Sequence, residues 1–311
     1  MTAIRRIPIL FACLTFLCAP LTHAESVDEI DAMLEKAGAY MGSEVCSECH
    51  LDHAEQMKGK KHGQSADPHS PFADWGCETC HGPGGNHLIN NDDPMVSFKG
   101  ITQSPSHVRN TMCMQCHQGG KLTEWHASTH DAEDAACVDC HEIHEPDSVL
   151  DRQEQADVCY TCHKDKQAQS FRAFRHPVRE GKVICSDCHN PHGSVGDASL
   201  QQLSINDNCY SCHAEKRGPF LWEHPPAAEE CTLCHQVHGS NHPAMLVKQG
   251  PQLCQSCHSQ VGGSGNTHTR RMIDFSDTTG GTGRFIASQN CANCHSQVHG
   301  TNHPSGAYLQ R

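Results

Sequence analysis

The sequence predicts loops and short helices with little or no sheet, wrapped round rigid apolar bodies that side chains do not supply. Three observations carry this. Only 36% of the 311 residues are apolar and 5% aromatic, thin for a chain of this length that must build its own core. The pentapeptide Cys-x-x-Cys-His occurs ten times, beginning at Cys46, Cys77, Cys113, Cys137, Cys159, Cys185, Cys209, Cys231, Cys254 and Cys291. The chain also carries 27 histidines, far more than the motifs use.

The motif says what the rigid bodies are. Its two thiols bond to the vinyl groups of a c-type haem, and its histidine ligates the iron. A lone Cys-x-x-Cys would suit a redox dithiol or half a zinc site equally well. Ten copies with histidine always next in line point to ten covalent haems. Their second cysteines are Cys49, Cys80, Cys116, Cys140, Cys162, Cys188, Cys212, Cys234, Cys257 and Cys294. Only Cys13 and Cys18 of the 22 cysteines stand outside the motifs, and both lie in the leader, so none is left for a structural disulfide. The expected fold class is a multihaem cytochrome c, with loops and short helices round an extended haem stack. Porphyrins supply the interior, so the haem-free chain is expected to be disordered.

The leader comes first. Arg5 and Arg6 precede an apolar run from Ile7 to Leu21 and the small-residue site Thr22-His23-Ala24, the order of a secretory signal peptide over residues 1–24. The run is too short for an ordinary membrane span, and nothing later approaches one. Export fits haem attachment outside the cytoplasm and places the chain in the periplasm or at the outer membrane of a Gram-negative bacterium. A helical segment is expected over 25–45. In it Val27, Ile30, Met33, Leu34 and Ala37 recur at helical spacing between Val27 and Tyr40.

From Cys113 onward the motifs fall into two-haem units beginning at Cys113, Cys159, Cys209 and Cys254, with Cys46 and Cys77 as a stretched first unit. Repetition of this kind implies stacked units with shared boundaries. It is compatible with a pentahaem module over 46–184 duplicated over 185–311. Glycine-rich breaks at Gly82–Gly85, Gly193–Gly196, Gly262–Gly265 and Gly280–Gly283 read as surface turns.

Ten motif histidines fill one face of each iron: His50, His81, His117, His141, His163, His189, His213, His235, His258 and His295. The most regular set for the opposite faces is His62, His87, His126, His144, His176, His192, His224, His238, His268 and His299. His107 competes with His87. His130, which precedes Cys137 much as His224 precedes Cys231, competes with His126. His69, His242 and His303 read as spares. The methionines keep no fixed relation to the motifs and read as packing residues.

Filling both faces with imidazole leaves no iron open to substrate and points to low potentials. The implied role is electron conduction rather than catalysis. A net charge of −13 argues against nucleic acid, whose backbone needs a basic partner. Two other readings remain: a soluble periplasmic shuttle, and a multihaem reductase of the nitrite or tetrathionate kind, which would need an iron with one face free.

Ten such motifs in just over three hundred residues resemble the periplasmic decahaem cytochromes of the MtrA/PioA/DmsE family. The likeness sharpens at Phe174-Arg-His-Pro-Val-Arg-Glu-Gly-Lys-Val-Ile-Cys185-Ser-Asp-Cys-His189-Asn-Pro-His-Gly193. It continues at Cys231-Thr-Leu-Cys-His-Gln-Val-His238-Gly239 and Cys291-Ala-Asn-Cys-His-Ser-Gln-Val-His299-Gly300. It covers the chain from about Gly42 to the end. The resemblance implies a cytochrome threaded into an outer-membrane β-barrel porin that sheathes it, since the chain has no lipid-spanning segment of its own. It also implies periplasmic or inner-membrane donor cytochromes on one side, and an extracellular multihaem cytochrome or terminal reductase on the other. The direction of electron flow stays open.

Overall fold

The computed structural model describes residues 23–91, 95–258 and 290–310. Most of the leader, His268 and the two later glycine-rich breaks lie outside the described residues. Among those described, the backbone forms twelve α-helices and a set of single 3-10 turns. The longest helix, His23–Ala37, has 15 residues. Among the described residues strand pairing is confined to four isolated bridges, Phe174 with Ser240, His189 with Leu200, Trp222 with Thr301 and His235 with Leu246.

The first helix stops three residues short of Tyr40, where its apolar pattern was expected to end, because Gly38 takes a left-handed conformation, with φ of 91°. The loop at 85–86 then caps its exposed carbonyls. The backbone N–H of Asn86 donates to Ala37 at 2.9 Å, its side-chain amide donates to Lys36 O at 2.6 Å, and Gly85 N–H donates to Ala39 at 3.0 Å.

That helix lies on the largest side-chain core. Ile30, Val96, Val108 and Met112 are buried together, with Met33, Leu34 and Phe98 packed against them. Smaller buried groups follow at Trp125, Ala136, Val138, Ala156, Tyr160 and Ile184. Beyond Ile184 no described hydrophobic residue is buried, while Leu203, Leu221, Leu233 and Tyr308 are exposed. The described residues of this C-terminal stretch have no side-chain interior of their own. A chain so built gains little from apolar burial and needs an apolar insert to hold its loops.

The glycine-rich turn at Gly82–Gly85 differs from the surface position expected of it: Gly82, Pro83 and Gly84 are buried. The cause is Glu78, 1% exposed. Its carboxylate accepts from Gly84 N–H at 2.8 Å, Gly42 N–H at 2.7 Å and Met41 N–H at 3.0 Å, pinning two stretches of loop around the second motif.

Chain contacts also bridge residues 184 and 185. Helix Gln155–Tyr160 packs on helix Cys185–Cys188. The Gln155 carboxamide accepts from Ser186 N–H at 3.0 Å, and Arg152 pairs with Asp187 at 2.9 Å.

Candidate haem-binding sites

Each motif is a single helical turn. The histidine N–H bonds back to the carbonyl of the first cysteine at 2.9–3.0 Å in the motifs at Cys46, Cys113, Cys137, Cys159, Cys185, Cys209, Cys231, Cys254 and Cys291. At the remaining motif the turn is the helix Cys77–His81 itself. One turn brings both thiols and the imidazole to neighbouring positions, as attachment to one macrocycle requires.

The thiols are ordered along the chain. First cysteines meet in five pairs. Interaction between the paired thiols pushes Cys137, beside Cys113, and Cys159, beside Cys185, up, and pushes Cys113 and Cys185 down. Burial, then the neighbouring thiol, raises Cys46 beside Cys77 to about 11, Cys209 beside Cys231 to about 12, and Cys254 beside Cys291 to about 11. Second cysteines sense one another electrostatically between those pairs: Cys80 feels Cys116, Cys140 feels Cys162, Cys188 feels Cys212 and Cys234 feels Cys257. First-cysteine pairs and second-cysteine neighbours thus alternate without a break from Cys46 to Cys291.

Polar side chains near the start of the first four units hold the first-cysteine pairs together. Ser43 accepts from Cys77 N–H at 3.0 Å, Asn110 from Cys137 N–H at 2.8 Å, and Asn206 from Cys231 N–H at 2.8 Å. Gln155 does the same to Ser186. Each caps the N-terminus of the second motif's turn. Sequence reasoning missed these residues, although Ser43, Asn110 and Asn206 each stand three positions before a first cysteine.

Histidines meet in opposed pairs, each uniting a motif histidine with one from outside the motifs. Ring centroids are 6.5 Å apart for His50 and His87, 5.9 Å for His117 and His62, and 6.3 Å for His81 and His144. They are 6.0 Å apart for His163 and His130, 6.0 Å for His141 and His192, and 6.4 Å for His213 and His176. They are 6.1 Å apart for His189 and His238, 6.3 Å for His258 and His224, and 6.1 Å for His235 and His299. A metal–imidazole bond is about 2 Å, so two rings facing each other across one ion stand roughly 6 Å apart between centroids. Interplanar angles range from 10° to 89°, as free rotation of each ring about such an axis allows.

His130, rather than His126, faces a motif ring. Its Nδ1 bonds to Pro191 O at 2.7 Å, just as His176 bonds to Val237 O at 3.0 Å and His224 to Val298 O at 2.9 Å. His126 lies 3.5 Å from Asp131. His53, which sequence reasoning passed over, stands 4.9 Å from the ring of His144 and 6.1 Å from that of His50.

A carbonyl only accepts, so each ring bonded to one through Nδ1 carries its proton there and turns a bare Nε2 outward. His81 donates to Val96 O at 2.8 Å, His189 to Ala198 O at 2.9 Å, His235 to Ala244 O at 2.8 Å and His295 to Tyr308 O at 2.6 Å. The supporting loops are strained. Ala198, Ser199, Ala244, Met245 and Leu309 all have φ between 51° and 56°, a conformation that costs about 1–2 kcal/mol per residue and collects at functional sites. Burial lowers the proton affinity of His62, His144, His192, His238 and His299, keeping them in the neutral form a metal ligand needs.

No cluster of three or more His, Cys, Asp or Glu suited to a bare metal ion occurs among the described residues. Two opposed imidazoles beside two thiols instead fit an iron whose other four donors belong to a porphyrin. The residues present fit haem c.

Motif turns with only a sparse side-chain core, thiols in register and rings opposed at iron-ligand spacing define a multihaem c-type cytochrome. Comparison with known proteins agrees. A doubled CXXCH motif family matches residues 176–218 and 224–263, and a family described as cytochrome c-type protein NrfB-like matches residues 77–153. A multihaem cytochrome MtrA of Shewanella baltica (strain OS185) is 41% identical over 314 aligned positions, covering 96% of this chain and 94% of the relative. The chain belongs to the MtrA family of multihaem cytochromes. It is an electron-transfer protein, not an enzyme.

Proposed function

We propose that this chain carries electrons through ten bis-histidine c-type haems, taken in sequence order, across the periplasm and outer membrane within a porin–cytochrome complex. The alternation of first-cysteine pairs and second-cysteine neighbours from Cys46 to Cys291 carries this reading, because it sets neighbouring attachment sites side by side in one unbranched series. Each haem supplies a one-electron couple between ferric and ferrous iron. The chain's own residues hold that couple in place.

The ten motif histidines serve as one axial ligand each. His87, His144, His62, His192, His130, His238, His176, His299 and His224 serve as the other for the motifs at Cys46, Cys77, Cys113, Cys137, Cys159, Cys185, Cys209, Cys231 and Cys254. Through the middle of the chain, a histidine following an odd-numbered motif serves the motif two places on, and one following an even-numbered motif serves the motif two places back. His87 closes the amino-terminal end, and His268, outside the described residues, is the histidine that the sequence pattern offers as second ligand for the last motif. Ligands that cross neighbours in this way tie the series into one body.

No helix among the described residues is long and apolar enough to cross a membrane, and irregular backbone exposed to lipid would leave its polar groups unsatisfied. Passage through the outer membrane therefore requires the barrel sheath, with periplasmic or inner-membrane cytochromes as donors. An extracellular multihaem cytochrome or terminal reductase stands on the far side. The test is low-temperature EPR of the oxidised holoprotein with haem quantified per chain. Ten low-spin haems are expected; one stoichiometric high-spin haem refutes the saturated series. Affinity capture from outer membranes should retain a β-barrel protein, and its absence would favour a soluble shuttle.

A further inference from the structure

The even-numbered motifs share a device that one of them alters. At His81, His189, His235 and His295 the Nδ1 proton goes to a neutral backbone carbonyl. At His141 it goes to a carboxylate: Asp147 Oδ2 accepts at 2.8 Å. The other oxygen, Oδ1, accepts from Glu142 N–H at 3.3 Å, so the anion is fixed on both sides. The Asp147 side chain is 18% exposed, which leaves its charge only partly screened. The ring opposite, His192, has its Nδ1 buried with no hydrogen-bond partner from the protein, so the carboxylate acts on this pair through His141 alone.

We propose that Asp147 is a positioning residue that makes the His141–His192 site the low-potential haem of the series. This rests on the reading that those two rings are axial ligands. A carboxylate pulling on Nδ1–H gives the imidazole anionic character and raises its donation to the metal. Stronger donation favours ferric iron, so reduction at this site needs a more negative potential. The step itself is simple: one electron from the reductant converts ferric to ferrous iron, with no bond broken and no proton moved.

The test uses the holoprotein with haem counted per chain, oxidised with ferricyanide and reduced stepwise with dithionite. EPR and near-infrared magnetic circular dichroism are recorded at each potential. In the wild type, one of ten low-spin haems is expected to show a lowered largest g value and a blue-shifted charge-transfer band, and to be reduced last. Asp147→Asn keeps a carbonyl acceptor but removes the charge. Its outlier should rejoin the other nine, with the reduced-to-oxidised ratio at fixed potential rising about tenfold, equivalent to about 59 mV for one electron. Glu145→Gln, which removes a nearby exposed charge without touching the ring, should leave the outlier in place.

Ten low-spin haems with no outlier in the wild type would overturn the proposal, whether or not Asp147→Asn folds. So would an outlier that Asp147→Asn fails to move, or that Glu145→Gln moves equally. Fewer than ten haems, or any high-spin iron, would instead overturn the ligation reading and the proposal with it.

Discussion

Replacing Glu78 with glutamine should loosen the amino-terminal end without removing a haem. One carboxylate oxygen serves Gly84 and Met41, and the other serves Gly42 and Met41. A carboxamide can keep only one of these faces, because its NH2 group meets backbone N–H on the other. At least one charge-assisted hydrogen bond, worth about 1.5–3 kcal/mol, is therefore lost outright. The surviving bonds fall to neutral strength, and the N–H left behind is either the buried one of Gly84 or the half-buried one of Gly42. The combined effect is about 2–4 kcal/mol on local opening. Hydrogen exchange at Met41, Gly42 and Gly84 in the holoprotein reads this directly. Exchange should quicken by roughly 30-fold to 1,000-fold if opening is fast and reversible, while Glu44→Gln, on the outer face of helix Ser43–Cys49, should leave those amides alone. Rates in Glu78→Gln within about threefold of the wild type would refute the idea that this carboxylate pins the loops.

Two further outcomes follow from the histidine geometry. His130→Ala should convert one haem to a high-spin or newly ligated species in the EPR spectrum, whereas His126→Ala should leave all of them low-spin; the reverse result would reassign the ligand. Acid should weaken the fold. In the iron-free chain burial already holds His62, His192, His238 and His299 below the usual value of 6.5, and iron bonded to the same rings would exclude the proton further, so below that pH the unfolded chain binds more protons than the folded one. Their contribution is complete above about pH 6.5 and shrinks as the pH falls toward the lowered folded values. Thermal melts of the holoprotein should therefore drop between about pH 7 and pH 5, and a melting temperature flat or rising over that interval would contradict this.

The sequence by itself determined the class of protein, because its chemistry is local. Two thiols and a histidine within five residues carry their meaning wherever the chain goes, and the shortage of apolar residues beside them already implied that side chains would not form the interior. The absence of any buried hydrophobic residue among those described beyond Ile184 is the structural face of that composition. The short first helix was legible from its apolar spacing, though its end was not, since Asn86 supplies the stop from 50 residues away.

Tertiary structure alone decided which rings face each other. His130 and His126 are both plausible four residues apart in sequence. Only the approach of the Pro191 carbonyl from 61 residues away selects His130 for the role His176 and His224 take elsewhere. The buried turn at Gly82–Gly84, the capping side chains of Ser43, Asn110 and Asn206, and the carboxylate on His141 belong to the same kind. Covalent attachment is written in neighbouring residues, whereas opposition across a metal is a relation between segments that the chain brings together only on folding.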